Sequence, residues 1–137
     1  MSSLPIQWLI KRRNFFVSPL MKRSLLVKLS DAEFNHYRDV VPTPESREGI
    51  AVFPREIRAA KPWLAELAPR VEAELAKKPI LLTWGMKDPA FARGTFLKRW
   101  ESTFSDVVVV KMAKAGHYIQ EDAPDQIAEA IRSRFGG

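Results

Sequence analysis

The sequence contains no cysteine, which removes disulfides, thiolate metal sites and a cysteine nucleophile from consideration. Histidine is almost as scarce: His36 and His117 are the only two in 137 residues, so any imidazole chemistry rests on one of them. No apolar run approaches the roughly 18 residues of a bilayer span. The opening Met1 to Ile10 stretch lacks the charge-first, apolar-next order of a signal peptide. The length is that of one ordinary globular domain, and the expectation is a soluble, cytoplasmic protein with no integral membrane segment.

Acidic residues are missing from the first 30 positions, which carry six basic ones (Lys11, Arg12, Arg13, Lys22, Arg23 and Lys28). The rest of the chain is neutral, with 16 basic and 16 acidic residues. Such a start can serve a non-catalytic binding module at an acidic surface, lipid or nucleic acid. The plainer reading is a helix with a solvated basic face and no nucleic-acid partner.

The apolar residues Trp8, Leu9, Phe15, Phe16, Val17, Leu20 and Met21 predict an opening helix that Pro19 breaks. A second helix begins at Asp31, because Ser30 and Glu33 form an S-x-x-E capping box with Leu29 and Phe34 at the staple positions. It ends before Pro42 and Pro44, and irregular chain is expected through Pro54. Lys61 to Lys78 reads as helix, with Pro69 kinking or splitting it. The run from Pro79 to Gly85 suits a parallel strand buried on both faces. A helix from about Gly94 to Phe104 and a strand from Val107 to Met112 then complete a β-α-β unit. After a loop from Ala113 to Asp122, Pro124 opens a last helix in which Ile127, Ile131 and Phe135 recur. Asp122 and Asp125 lie at its positive end, and Gly136 and Gly137 stop it.

A right-handed crossover leaves the two strands parallel, with both carboxyl ends on one edge of the sheet, where open α/β sheets bind ligands. Asp88 follows the first strand and His117 the second. A carboxylate accepting from Nδ1–H fixes the imidazole tautomer and leaves Nε2 free as a general base. Singly, Asp88 is a turn residue before Pro89 and His117 a loop histidine; their matched placement favours a catalytic pair. The nucleophile of such a site sits at a G-x-S-x-G or G-x-D-x-G elbow, and no two of the six glycines have that spacing. His36 is expected to face solvent on its helix. The two histidines do not make a metal site, and no cofactor is expected.

Trp84-Gly85-Met86-Lys87-Asp88 and Ala115-Gly116-His117-Tyr118-Ile119-Gln120-Glu121-Asp122 resemble the acid and base segments in the C-terminal half of an α/β-hydrolase, most of all a haloalkane dehalogenase. Leu29 to Glu33, Tyr37-Arg38 and Phe53-Pro54-Arg55 look like the helical cap of that family. The resemblance implies an α/β fold in two parts: a partial cap over residues 1–60, and the C-terminal part of the core over residues 61–137. It implies that Asp88 is the charge partner and His117 the general base in hydrolysis of a carbon–halogen bond through an alkyl ester. The substrate would be a small apolar halogenated molecule. The nucleophile belongs to the half of the family pattern that this sequence does not contain, which implies inactivity alone and either self-association or a second chain carrying that half. An epoxide hydrolase-like reading ranks second, because Tyr37 does not sit in the usual cap context.

Overall fold

The computed structural model describes residues 4–92 and 95–136. Two compact units emerge. One holds the residues up to Arg23 together with Lys28–Glu66, and the other holds Ser24–Val27 with the residues from Leu67 onward.

In the first unit, α1 (Leu4–Arg13) ends at Asn14, whose φ of 47° is left-handed. Asparagine tolerates that conformation better than any branched residue, so Asn14 interrupts the opening helix and Pro19 does not. Pro19 instead lies inside a π-helical stretch, Phe16–Met21. The Leu20 N–H there reaches the Phe15 carbonyl five residues back. A short α2 (Lys22–Ser24) follows. The capping box forms as expected and starts α3 (Asp31–Asp39): the Ser30 N–H donates to Glu33 Oε2 at 2.8 Å, and the Glu33 N–H to Ser30 Oγ at 3.3 Å.

The irregular segment expected through Pro54 is observed only as far as Arg47, and its second half is helical. Helix α4 (Glu48–Ala59) runs straight through the proline, despite the roughly 3 kcal/mol that an interior proline costs a helix. Its packing against α1 supplies the offset, since Ile10 and Ala51 are both wholly buried and Lys11 pairs with Glu48. The buried Arg47 guanidinium donates to three carbonyls, those of Val41 at 2.8 Å, Pro42 at 2.7 Å and Lys11 at 2.8 Å. Lys11 belongs to the last turn of α1, where carbonyls lack helical partners, so Arg47 both opens α4 and caps α1.

Helix α5 (Lys61–Leu75) is continuous through Pro69, so the split does not occur. In the second unit, β1 (Ile80–Gly85) and β2 (Val107–Met112) pair in parallel from Ile80 opposite Val107 to Gly85 opposite Met112. Between them lies α6 (Phe96–Thr103); the expected start at Gly94 falls outside the described residues. A short α7 (Ile119–Asp122) precedes α8 (Pro124–Phe135), in which Pro124 occupies the first turn and Gly136 follows the end; Gly137 lies outside the described residues. Arg134 of α8 ties back to the carboxylate of Asp106 at 2.5 Å, and α8 packs against β1. The expectation that β1 is buried on both faces is not met, because Ile80 to Trp84 are only half-buried. A sheet of two strands leaves each with one neighbour, and Phe96, Trp100 and Val108 are exposed.

Candidate active site

The strands do not simply release their loops. The Met86 N–H donates to the Met112 carbonyl at 3.0 Å and the Lys87 N–H to the Ala115 carbonyl at 2.9 Å. The pairing thus continues past both strand ends and draws the loop after β1 against the loop after β2. Gly85 permits this, because a Cβ there would overlap the Gly116 carbonyl and crowd Ile119. On the β1 side the Trp84 indole N–H donates to the Phe91 carbonyl at 3.2 Å, which folds the loop back over its own strand.

Asp88 and His117 meet in this zipped region, with His117 Nδ1 2.9 Å from Asp88 Oδ2. The other carboxylate oxygen, Oδ1, accepts from the Ala90 N–H at 2.7 Å and the Phe91 N–H at 3.3 Å. Burial pushes the Asp88 carboxyl up, but the Ala90 amide, His117 and the Phe91 amide together outweigh it and hold it below its ordinary value. It is therefore an anion at neutral pH. An anionic carboxylate can only accept, so the proton of a neutral imidazole sits on Nδ1 and Nε2 carries the lone pair.

The exposures of the pair match that division of roles. The Asp88 side chain is 9% exposed and that of His117 42%, so the orienting group is enclosed while the basic nitrogen's ring is reachable. The Phe91 ring stacks on the imidazole at 5.8 Å between centroids, and Tyr118 meets it edge-on at 5.3 Å. Burial pushes the Tyr118 hydroxyl above its ordinary value. The arrangement can take a proton at Nε2 and stabilise the resulting imidazolium through Asp88.

His36 lies exposed on α3, apart from this chemistry. Trp8 lines a shallow cavity of about 300 Å³ in the first unit with Lys11, Arg12, Pro44, Glu45 and Glu48; neither Asp88 nor His117 contributes to it. Among the described residues no three histidine or carboxylate side chains converge as metal ligands would. Sequence reasoning missed Asp122, whose carboxylate accepts from the amides of Gly116, Leu26 and Val27. Its position just before a proline-opened helix suggested a dipole role, and no local pattern announces bonds to a segment 96 residues away.

No protein-family model matches the sequence. Comparison with individual proteins is more informative. A haloalkane dehalogenase of Mycobacterium tuberculosis is 51% identical over 136 residues, covering 99% of this chain and 48% of that protein. One from Bradyrhizobium diazoefficiens is 31% identical over 133 residues, covering 94% of this chain and 43% of that protein. By sequence, the chain corresponds to the C-terminal part of a haloalkane dehalogenase. The crystal structure of haloalkane dehalogenase DbeA from Bradyrhizobium elkani superposes with a TM-score of 0.74 at 30% identity, over 93% of this chain and 45% of that one. The fold is accordingly part of an α/β-hydrolase. The dehalogenase DatA from Agrobacterium tumefaciens, at 21% identity and a TM-score of 0.74, adds to the likeness of fold alone. The chain spans about half the length of the dehalogenases it matches.

Proposed function

We propose that this chain supplies the acid–base pair of a haloalkane dehalogenase-type hydrolase, with Asp88 as charge partner and His117 as general base. The supporting observation is the 2.9 Å contact from Nδ1 to Oδ2 at matched ends of two parallel strands. The substrate is a small apolar molecule with a carbon–halogen bond. A carboxylate nucleophile displaces halide, which leaves with its bonding electrons as the carbon–oxygen bond of an alkyl ester forms. His117 Nε2 then takes a proton from water as it attacks the ester carbonyl, Asp88 stabilises the imidazolium, and the imidazolium returns that proton to the oxygen that leaves as the alcohol, regenerating the nucleophile's carboxyl group.

The sequence contains no G-x-D-x-G elbow, so in this reading the chain does not turn over alone and the nucleophile comes from a further polypeptide segment. Residues 1–60 are the cap portion and residues 61–137 the core portion of the completed enzyme. The exposed Phe96, Trp100 and Val108 support a core whose covering lies elsewhere, in a second chain or in self-association.

Halide release from a short bromoalkane is the test, run on the chain alone and after mixing with a polypeptide that carries a dehalogenase nucleophile elbow. The expected result is no release alone, multiple-turnover release on mixing, and in His117→Ala at most one equivalent of halide per nucleophile while the alkyl ester accumulates. Multiple-turnover release from the mixture that His117→Ala leaves intact would overturn the assignment.

A further inference from the structure

Asp122 is a carboxylate near His117 that the acid–base chemistry does not use, and both of its oxygens are committed. Oδ2 accepts from the N–H of Gly116, the residue immediately before His117, at 2.8 Å. Oδ1 accepts from the N–H groups of Leu26 at 3.0 Å and Val27 at 3.1 Å. The Leu26 side chain also lies against the same loop, since a Cβ on Gly116 would come within 3.2 Å of Leu26 Cδ1. Helix α8 has its own first-turn acid in Asp125, so Asp122 is not required as a dipole partner. Only a carboxylate presents acceptors on both sides; an asparagine must turn its NH₂ toward one set of N–H groups. Charge-assisted bonds to backbone N–H are among the stronger hydrogen bonds.

We propose that Asp122 is a positioning residue: it holds the Gly116 backbone so that the His117 ring keeps its bond to Asp88, and it couples that loop to the Leu26–Val27 segment. The catalytic meaning of this rests on the reading of His117 as general base, but the coupling is measurable in the chain as it stands. Long-range ¹H–¹⁵N correlation spectra report the His117 tautomer and its titration, and amide hydrogen exchange reports each arm of the clamp.

In Asp122→Ala, exchange at Gly116, Leu26 and Val27 should rise together by ~10- to 100-fold. His117 should then pass from a single Nδ1-protonated form to a tautomer mixture. Asp122→Asn keeps the volume and one acceptor, so one arm alone should open, and the His117 signature should follow the Gly116 arm. A folded variant in which Gly116 exchange accelerates while His117 keeps its wild-type tautomer overturns the proposal. Unchanged Gly116 exchange does the same. Asp88→Asn distinguishes this from failure of the functional reading. A His117 tautomer indifferent to Asp88→Asn sinks the acid–base pair itself, whereas a response to Asp88→Asn and not to the Asp122 variants sinks the positioning role alone.

Discussion

Gly85 lies so close to Gly116 that a methyl group on its α-carbon would overlap the Gly116 carbonyl. The obstacle is backbone, which no rotamer change relieves. Gly85→Ala is therefore expected to destabilise the second unit by about 1–3 kcal/mol and to part the two loops that carry Asp88 and His117. Denaturant unfolding measures the first effect. Hydrogen exchange at Lys87, whose N–H bonds the Ala115 carbonyl, measures the second.

The depressed titration of Asp88 links stability to pH. Its folded value lies below the ordinary 3.8, so its contribution is complete above 3.8 and is lost as the pH falls from there through the folded value. Asp88→Asn should lower stability at neutral pH and flatten that part of the acid limb, as read from denaturation midpoints between neutral pH and strong acid. In a reconstituted enzyme the same change turns an amide NH₂ toward Nδ1 and favours the wrong tautomer. Activity should then fall on the order of 10⁴-fold with the fold retained.

Arg47 joins α1 to the start of α4 by three donated hydrogen bonds to carbonyl oxygens. Removing it strands those acceptors in a half-buried setting, and hydrogen bonds to a charged group contribute about 1.5–3 kcal/mol. Arg47→Met, which retains much of the stem's packing, should cost at least that much in the first unit by chemical denaturation. Arg47→Lys should recover only a minor part, because an ammonium has no planar fork to reach three diverging carbonyls.

Asn14 combines a left-handed backbone with a buried side-chain nitrogen that has no partner among the described residues. Glycine removes both demands, so Asn14→Gly should leave the thermal midpoint nearly unchanged. Asn14→Val places a β-branched residue at positive φ, where L-residues are disfavoured by roughly 1–2 kcal/mol, and should lower that midpoint by several degrees. Equal midpoints for the two variants would contradict the role given to the backbone here.

The second unit was legible because its signals are local. An apolar run closed by glycine, a helical spacing and a valine run spell out a β-α-β unit, and the parallel pairing of its strands brings Asp88 and His117 to one edge. The first unit was read less well, for a physical reason. Pro54 carries its intrinsic cost only in an isolated helix, whereas the buried contacts of Ile10 and Ala51 and the bonds of Arg47 decide the outcome for α4, and those join residues far apart in sequence. Asp122 shows the same limit within the site, since its partners at Leu26 and Val27 precede it by 96 and 95 residues.

The parallel pairing that runs from Ile80 opposite Val107 to Gly85 opposite Met112 also has a genetic consequence. Asp88 and His117 hang from the two ends of one crossover, 29 residues apart. Recombination outside that short stretch passes both on together, so the proposed acid and base form a single heritable cassette. The nucleophile proposed for that cassette is free to be inherited, exchanged or lost on its own.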